Sequence, residues 1–139
     1  MPYEYQRATD DFYSFLVDVR NEADLWSTHV AYTMTQGVFQ TFSRRLSLHQ
    51  AITFANALPV GLRALFVSDW PVDEALRPFA SLQAMNAEVR ELRGRHNFSP
   101  PDSIQIVARV LHRHVEPQIL RHALRNMPRE GLAFWFPEH

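Results

Sequence analysis

Apolar side chains in this chain recur at three- and four-residue intervals, the spacing of one helix face, and caps and prolines separate the runs. Phe12, Phe15, Leu16 and Val19 follow i, i+3, i+4, i+7 without strand-like alternation, and Thr9-Asp10-Asp11 supplies a cap and first-turn carboxylates, predicting a helix over about 10–21. Ser27 caps a long second helix, with Trp26 before it as a hydrophobic staple. Val30, Met34, Val38 and Phe42 carry its stripe to about Arg45. Ser47-Leu48-His49-Gln50 matches the capping box and opens a shorter helix to about Ala57. Leu58-Pro59 starts another, bearing Leu62, Leu65 and Phe66.

Ser68-Asp69-Trp70-Pro71 interrupts this pattern, and a similar succession follows. Phe79, Leu82, Met85, Val89 and Leu92 mark a helix that Gly94 terminates. Ser99-Pro100-Pro101-Asp102 reads as a helix start, ahead of the stripe Ile104, Val107, Ala108, Leu111 and Val115. Glu116-Pro117 and Met127-Pro128 restart the chain twice more, the second time before Leu132, Phe134 and Trp135.

Laid on each other at an offset of 69, residues 30–66 and 99–135 carry one apolar skeleton: Val38 on Val107, Phe42 on Leu111, Phe54 on Ala123, Leu65-Phe66 on Phe134-Trp135. A fixed period of this kind points to one unit built twice. The expectation is a single all-α domain over 1–139. It is a tandem duplication of a four-helix unit, about eight helices in all, with repeats at 10–70 and 71–136 packed about a pseudo-twofold axis. Trp26, Phe42, Phe54, Leu111 and Trp135 fall on its core-facing positions.

A long helix ending in Arg45-Leu46, a short helix, then Leu58-Pro59 and an apolar helix ending near Trp70, with a recurrence from Met127-Pro128 to Trp135, resembles the bacterial family catalogued as domain of unknown function 2267. The resemblance covers about residues 10–136 and implies an all-helical tandem fold, with no established activity, catalytic residue or cofactor. The second copy departs from the pattern, having Met127 for Leu and His114-Val115 for Arg-Leu.

Composition narrows the chemistry. Apolar residues make up 46% of the 139, enough for a real core at this length. No apolar run approaches the ~18 residues of a membrane span, and the start of the chain is neither basic nor apolar, so a cytoplasmic location is expected. Cysteine is absent, which excludes disulfides and thiolate chemistry. All fourteen basic residues are arginine, which excludes Schiff-base lysines and a P-loop. A net charge of −1 argues against a dedicated nucleic-acid binder.

No catalytic set emerges. His112-Arg113-His114 points its histidines to different sides of a helix, and His112 with Glu116 supplies only two ligands, so neither a metal nor a cofactor is expected. Asp10, Asp11, Asp18 and Glu22 read as solvent-facing charge. Residues 1–27 hold six acids against Arg7 and Arg20, whereas 88–129 hold eight arginines against four acids, an asymmetry suited to a protein partner or self-association. The polar stripe Gln36, Gln40, Arg44 recurs as Gln105, Arg109, Arg113, so Arg44, Arg109 and Arg113 are the candidate anion- or partner-binding residues. The expected function is a non-catalytic binding or assembly module. The alternative is a small-molecule or anion-binding protein, an enzyme among the options, with a cleft between the repeats lined by Arg44 and Arg113.

Overall fold

The computed structural model describes residues 1–92 and 99–137, and all regular structure among them is helical. α1 (Tyr3–Gln6) is a single turn, followed by α2 (Ala8–Glu22), α3 (Thr28–Ser43), α4 (Leu48–Ala55) and α5 (Val60–Ser68). After a connecting strap come α6 (Leu82–Leu92), α7 (Ser103–His114), α8 (Pro117–Ala123) and α9 (Arg129–Trp135). The eight expected helices are present, and α1 adds a ninth among the described residues. No helix among them is long and apolar enough to cross a membrane. The expected stop at Gly94 lies outside the described residues.

Local chemistry sets most boundaries. α2 ends in a Schellman turn: Leu25 N donates to Arg20 O at 2.8 Å and Asp24 N to Asn21 O at 3.3 Å, with Asp24 in the left-handed region at φ 53°. Ser27 caps α3 by accepting from Val30 N, and Ser47 with Gln50 forms the capping box that the sequence predicts for α4. Two expectations need correction. The staple partner of Trp26 is Ala31, too small to hold an indole, and Trp26 stands 75% exposed outside the core. Pro100 and Pro101 precede α7 rather than opening it, since a residue before proline is pushed out of the helical region; α7 begins at Ser103.

α2 packs on α7 as well as α3, and α6 packs on α3 as well as α7. An aromatic cluster fills the centre. Phe42 meets Phe134 and Phe54 with ring centroids 4.8 and 4.9 Å apart, Trp135 lies 5.2 Å from Phe54, and Phe39 touches Phe66 at 5.5 Å. Such rings bury large apolar areas and add edge-to-face attraction. α9 is tied down by His112, whose Nε2–H donates to the Trp135 carbonyl at 2.7 Å.

Leu111 is fully buried, so Leu111→Ala should lower the free energy of unfolding by about 2–5 kcal/mol in urea titration. Gly61 permits close approach of α5 to α2: a Cβ there would sit 2.8 Å from Phe12 Cβ and Cγ, which lie too near the backbone to swing away. Gly61→Ala should therefore cost about 1–3 kcal/mol despite its better helix propensity. A neutral outcome at either position would show that the α2–α5 or α7 packing is misplaced.

Candidate functional site

The residue that organises the polar chemistry is Arg45, in the turn just past the C-terminal end of α3 and three residues after Phe42. Its side chain is only 4% exposed, and every nitrogen has a partner. Nη1 and Nη2 grip the Glu88 carboxylate of α6 in a fork at 2.9 and 3.0 Å, Nη1 also donates to Thr41 O, and Nε donates to Pro78 O at 3.0 Å. Arg44 and Arg77 approach the same carboxylate at 3.4 and 3.5 Å. Burial alone would raise the Glu88 carboxyl. The Arg45 hydrogen bonds and the charges of Arg45, Arg44 and Arg77 outweigh it and hold Glu88 below its ordinary value, so it stays ionised.

The strap from Asp69 to Pro78 crosses beside this cluster. Asp69 accepts from Gln36 Nε2 at 2.5 Å and Gln40 Nε2 at 3.3 Å, Trp70 packs on Phe66, and Arg77 N donates to Arg44 O at 3.0 Å. Held at both ends, the strap contributes to the walls of three adjoining depressions. One of about 170 Å3 is apolar, lined by Leu48, Ala51, Ile52, Val67 and Trp70. The next, about 280 Å3, shares Leu48 and Trp70 with it and is walled by Val72, Leu76, Arg44 and Glu74. The third, about 170 Å3, shares Ser43, Arg44, Pro71 and Glu74 with the second and adds Gln40, Asp69 and Leu92. Together they form a trough that runs from an apolar end to a polar one, walled by α3, α4, α5 and the strap with Leu92 of α6 at its polar end.

Of the three candidate arginines, Arg44 lines this trough. Arg109 and Arg113 do not. They lie on α7 against Glu22 of α2, Arg109 Nε at 3.6 Å and Arg113 Nη2 in hydrogen-bonding contact, with side chains 46% and 50% exposed. The repeated polar stripe thus places its arginines against different carboxylates. Glu22 and Asp18 are not simply solvent-facing: Asp18 Oδ2 lies 2.6 Å from His114 Nε2. Gln105, the remaining stripe residue, accepts from Asn86 Nδ2 at 2.8 Å, while Asn86 Oδ1 accepts from Ile104 N at 2.9 Å. Asn86, 3% exposed, thereby caps the first turn of α7 from another helix. A wider depression of about 540 Å3 borders Asn86, whose amide is committed on both sides.

Two residues that matter here, Arg45 and Glu88, were not among the sequence candidates. The available signal was an arginine continuing the stripe Val38, Phe42, Arg45, because a guanidinium on a core-facing position needs a buried anion. No cluster of three His, Asp or Glu side chains suited to a metal occurs among the described residues.

Removing Arg45 takes the main partner from a partly buried carboxylate and leaves it only the longer contacts of Arg44 and Arg77, so Arg45→Ala should cost about 3 kcal/mol. Arg113→Ala breaks a solvated pair and should cost less than about 1 kcal/mol in the same denaturation assay. Because the folded pKa of Glu88 is lowered, its contribution is complete above the unfolded value and is lost as pH falls below about 4.5. Glu88→Gln should accordingly lose less stability than the wild type as pH is lowered through that interval. Parallel acid limbs in the two proteins would contradict the ion-pair assignment.

Among curated proteins none matches the chain. The model of a family described as "Uncharacterized conserved protein (DUF2267)" matches residues 12–133, nearly the whole helical body. This chain belongs to the DUF2267 family.

Proposed function

We propose that this protein is a non-catalytic binding module whose site is the trough beside the strap. The observation that carries the reading is the contrast between neighbouring arginines. Arg45 is fully partnered, whereas the guanidinium of Arg44, its side chain 16% exposed at the trough wall, makes one hydrogen bond of 3.4 Å among the described residues and a looser 3.8 Å contact with Glu74. A largely buried guanidinium with donors unfilled by the described residues, beside an apolar floor, suits ligand capture. Glu88, the most enclosed carboxylate of the cluster, is held ionised by arginines, which suits a structural anchor better than a proton donor.

The duplication belongs to the same proposal. At offsets of 69 and 70, Arg45–Glu88 corresponds to His114–Asp18, and each pair joins the long helix of one half to the first helix of the other. This reciprocity supports a unit built twice, with the strap as its connector and the trough at their seam. An assembly role draws support from Leu48, Ile52 and Val67, which are 68%, 52% and 50% exposed along the apolar end.

The test uses 8-anilinonaphthalene-1-sulfonate, an aromatic anion matching both ends of the trough. The native protein should bind it at one saturable site with blue-shifted emission, and Ile52→Asp with Val67→Asp, both at exposed positions, should abolish that site without altering the circular-dichroism spectrum. Dye binding unchanged by the pair would overturn the reading. Sedimentation equilibrium separates the assembly role: a dimer dissociated by the same two substitutions would assign the apolar end to self-association.

A further inference from the structure

We propose that the trough takes a small amphipathic carboxylate, its head on Arg44 and its tail along Trp70, with Glu74 occupying the head-group position when no ligand is bound. The inference rests on the trough being the binding site and specifies the chemistry that fills it.

Three observations converge. The first is the unfinished coordination of Arg44. Charge-assisted N–H···O bonds normally run about 2.7–2.9 Å. Arg44 Nη1 reaches Glu88 at 3.4 Å, and Nε stands 3.8 Å from Glu74, beyond hydrogen-bonding distance. No hydrogen bond from Nε or Nη2 to a described residue satisfies the outer side of the fork. A planar carboxylate is the natural complement of that side.

The second is the character of Glu74. It belongs to the strap, its side chain is 48% exposed, and its contact with Arg44 is the longest in the cluster. A contact of 3.8 Å whose carboxylate is half in water stabilises the fold little, so Glu74 can turn to solvent at small cost. Exchange of one carboxylate for another leaves the local charge unchanged. A phosphate dianion would add negative charge beside Glu88 and Asp69, and an ammonium head would meet Arg44, so the balance selects a monoanionic carboxylate.

The third is the wall. From Arg44 the depression continues between Leu48, Trp70, Val72 and Leu76, and Val72 and Leu76 are 76% and 60% exposed. An alkyl or aromatic tail laid there covers apolar surface that the fold leaves in water. Head and tail requirements are met by one molecule only if it is amphipathic.

The experiment is calorimetric titration of the full chain with sodium octanoate, octylammonium chloride, octyl phosphate and octanol, with intrinsic tryptophan emission as a second signal. Octanoate should bind at one site and at least tenfold more tightly than the other three. Arg44→Gln should weaken octanoate about tenfold or more, the worth of one charge-assisted hydrogen bond, and leave octanol unaffected. Glu74→Gln, which leaves the Arg45–Glu88 clamp intact, should tighten octanoate by removing its competitor. Equal binding of octanol, preference for octylammonium or octyl phosphate, or octanoate affinity unchanged in both variants would overturn the proposal. If octanoate fails while the sulfonate dye still binds and the two aspartate substitutions still abolish it, the head-group assignment falls and the trough stands. Loss of both signals removes the trough reading itself.

Discussion

The forked pairing of Arg45 with Glu88 is the constraint on which the rest of the arrangement depends. A buried arginine at the end of α3 is tolerable only with its charge matched and its donors filled, and α6 supplies the match at 2.9 and 3.0 Å. Because a guanidinium fork accepts a carboxylate in few orientations, the pair fixes where α6 crosses α3. The Nε contact with Pro78 O then anchors the far end of the strap at the same point. The strap is thus pinned to the ion pair at one end and to the Asp69 amide partners at the other, and the trough lies along it.

The opposite seam, between α2 and α7, uses the same topology with weaker chemistry. Its contacts are His114 with Asp18 and Arg109 and Arg113 with Glu22, and Arg113 is half exposed where Arg45 is enclosed. Solvated pairs gain little over water, so that seam relies on apolar packing of Phe15 and Val19. The two crossings therefore divide the work: one sets geometry through a desolvated charge pair, the other adheres through packing. The trough lies beside the first, where its walls are most firmly placed.

Much of the fold was legible in the sequence because helical stripes and caps are local signals. The spacing of Phe12 to Val19, the Ser27 and Ser47 caps, and the burial of Phe42, Phe54, Leu111 and Trp135 all needed only neighbours within a few residues. What escaped were choices made by distant partners. Arg44 and Arg45 are adjacent and chemically identical, and only the arrival of Glu88 from 43 residues away distinguishes the filled fork from the unfilled one. Asn86 of α6 caps α7 across a gap of 18 residues, a pairing that no local pattern announces. Trp26 failed as a core residue because its staple partner is alanine. The site was legible in part: the stripe identified Arg44, but Arg109 and Arg113 recur by pattern and meet a different carboxylate, so recurrence alone did not locate the trough.

The central claim, that the Arg45–Glu88 fork organises the molecule, is tested most directly by a double-mutant cycle with Arg45→Met, Glu88→Met and the double variant, each unfolded in urea at neutral pH. The two single variants each leave a buried charge without its main partner, whereas the double variant leaves neither. The account predicts a coupling free energy of about 1.5–3 kcal/mol, with the double variant more stable than the sum of the single losses implies. Losses that add to within about 0.5 kcal/mol would contradict it.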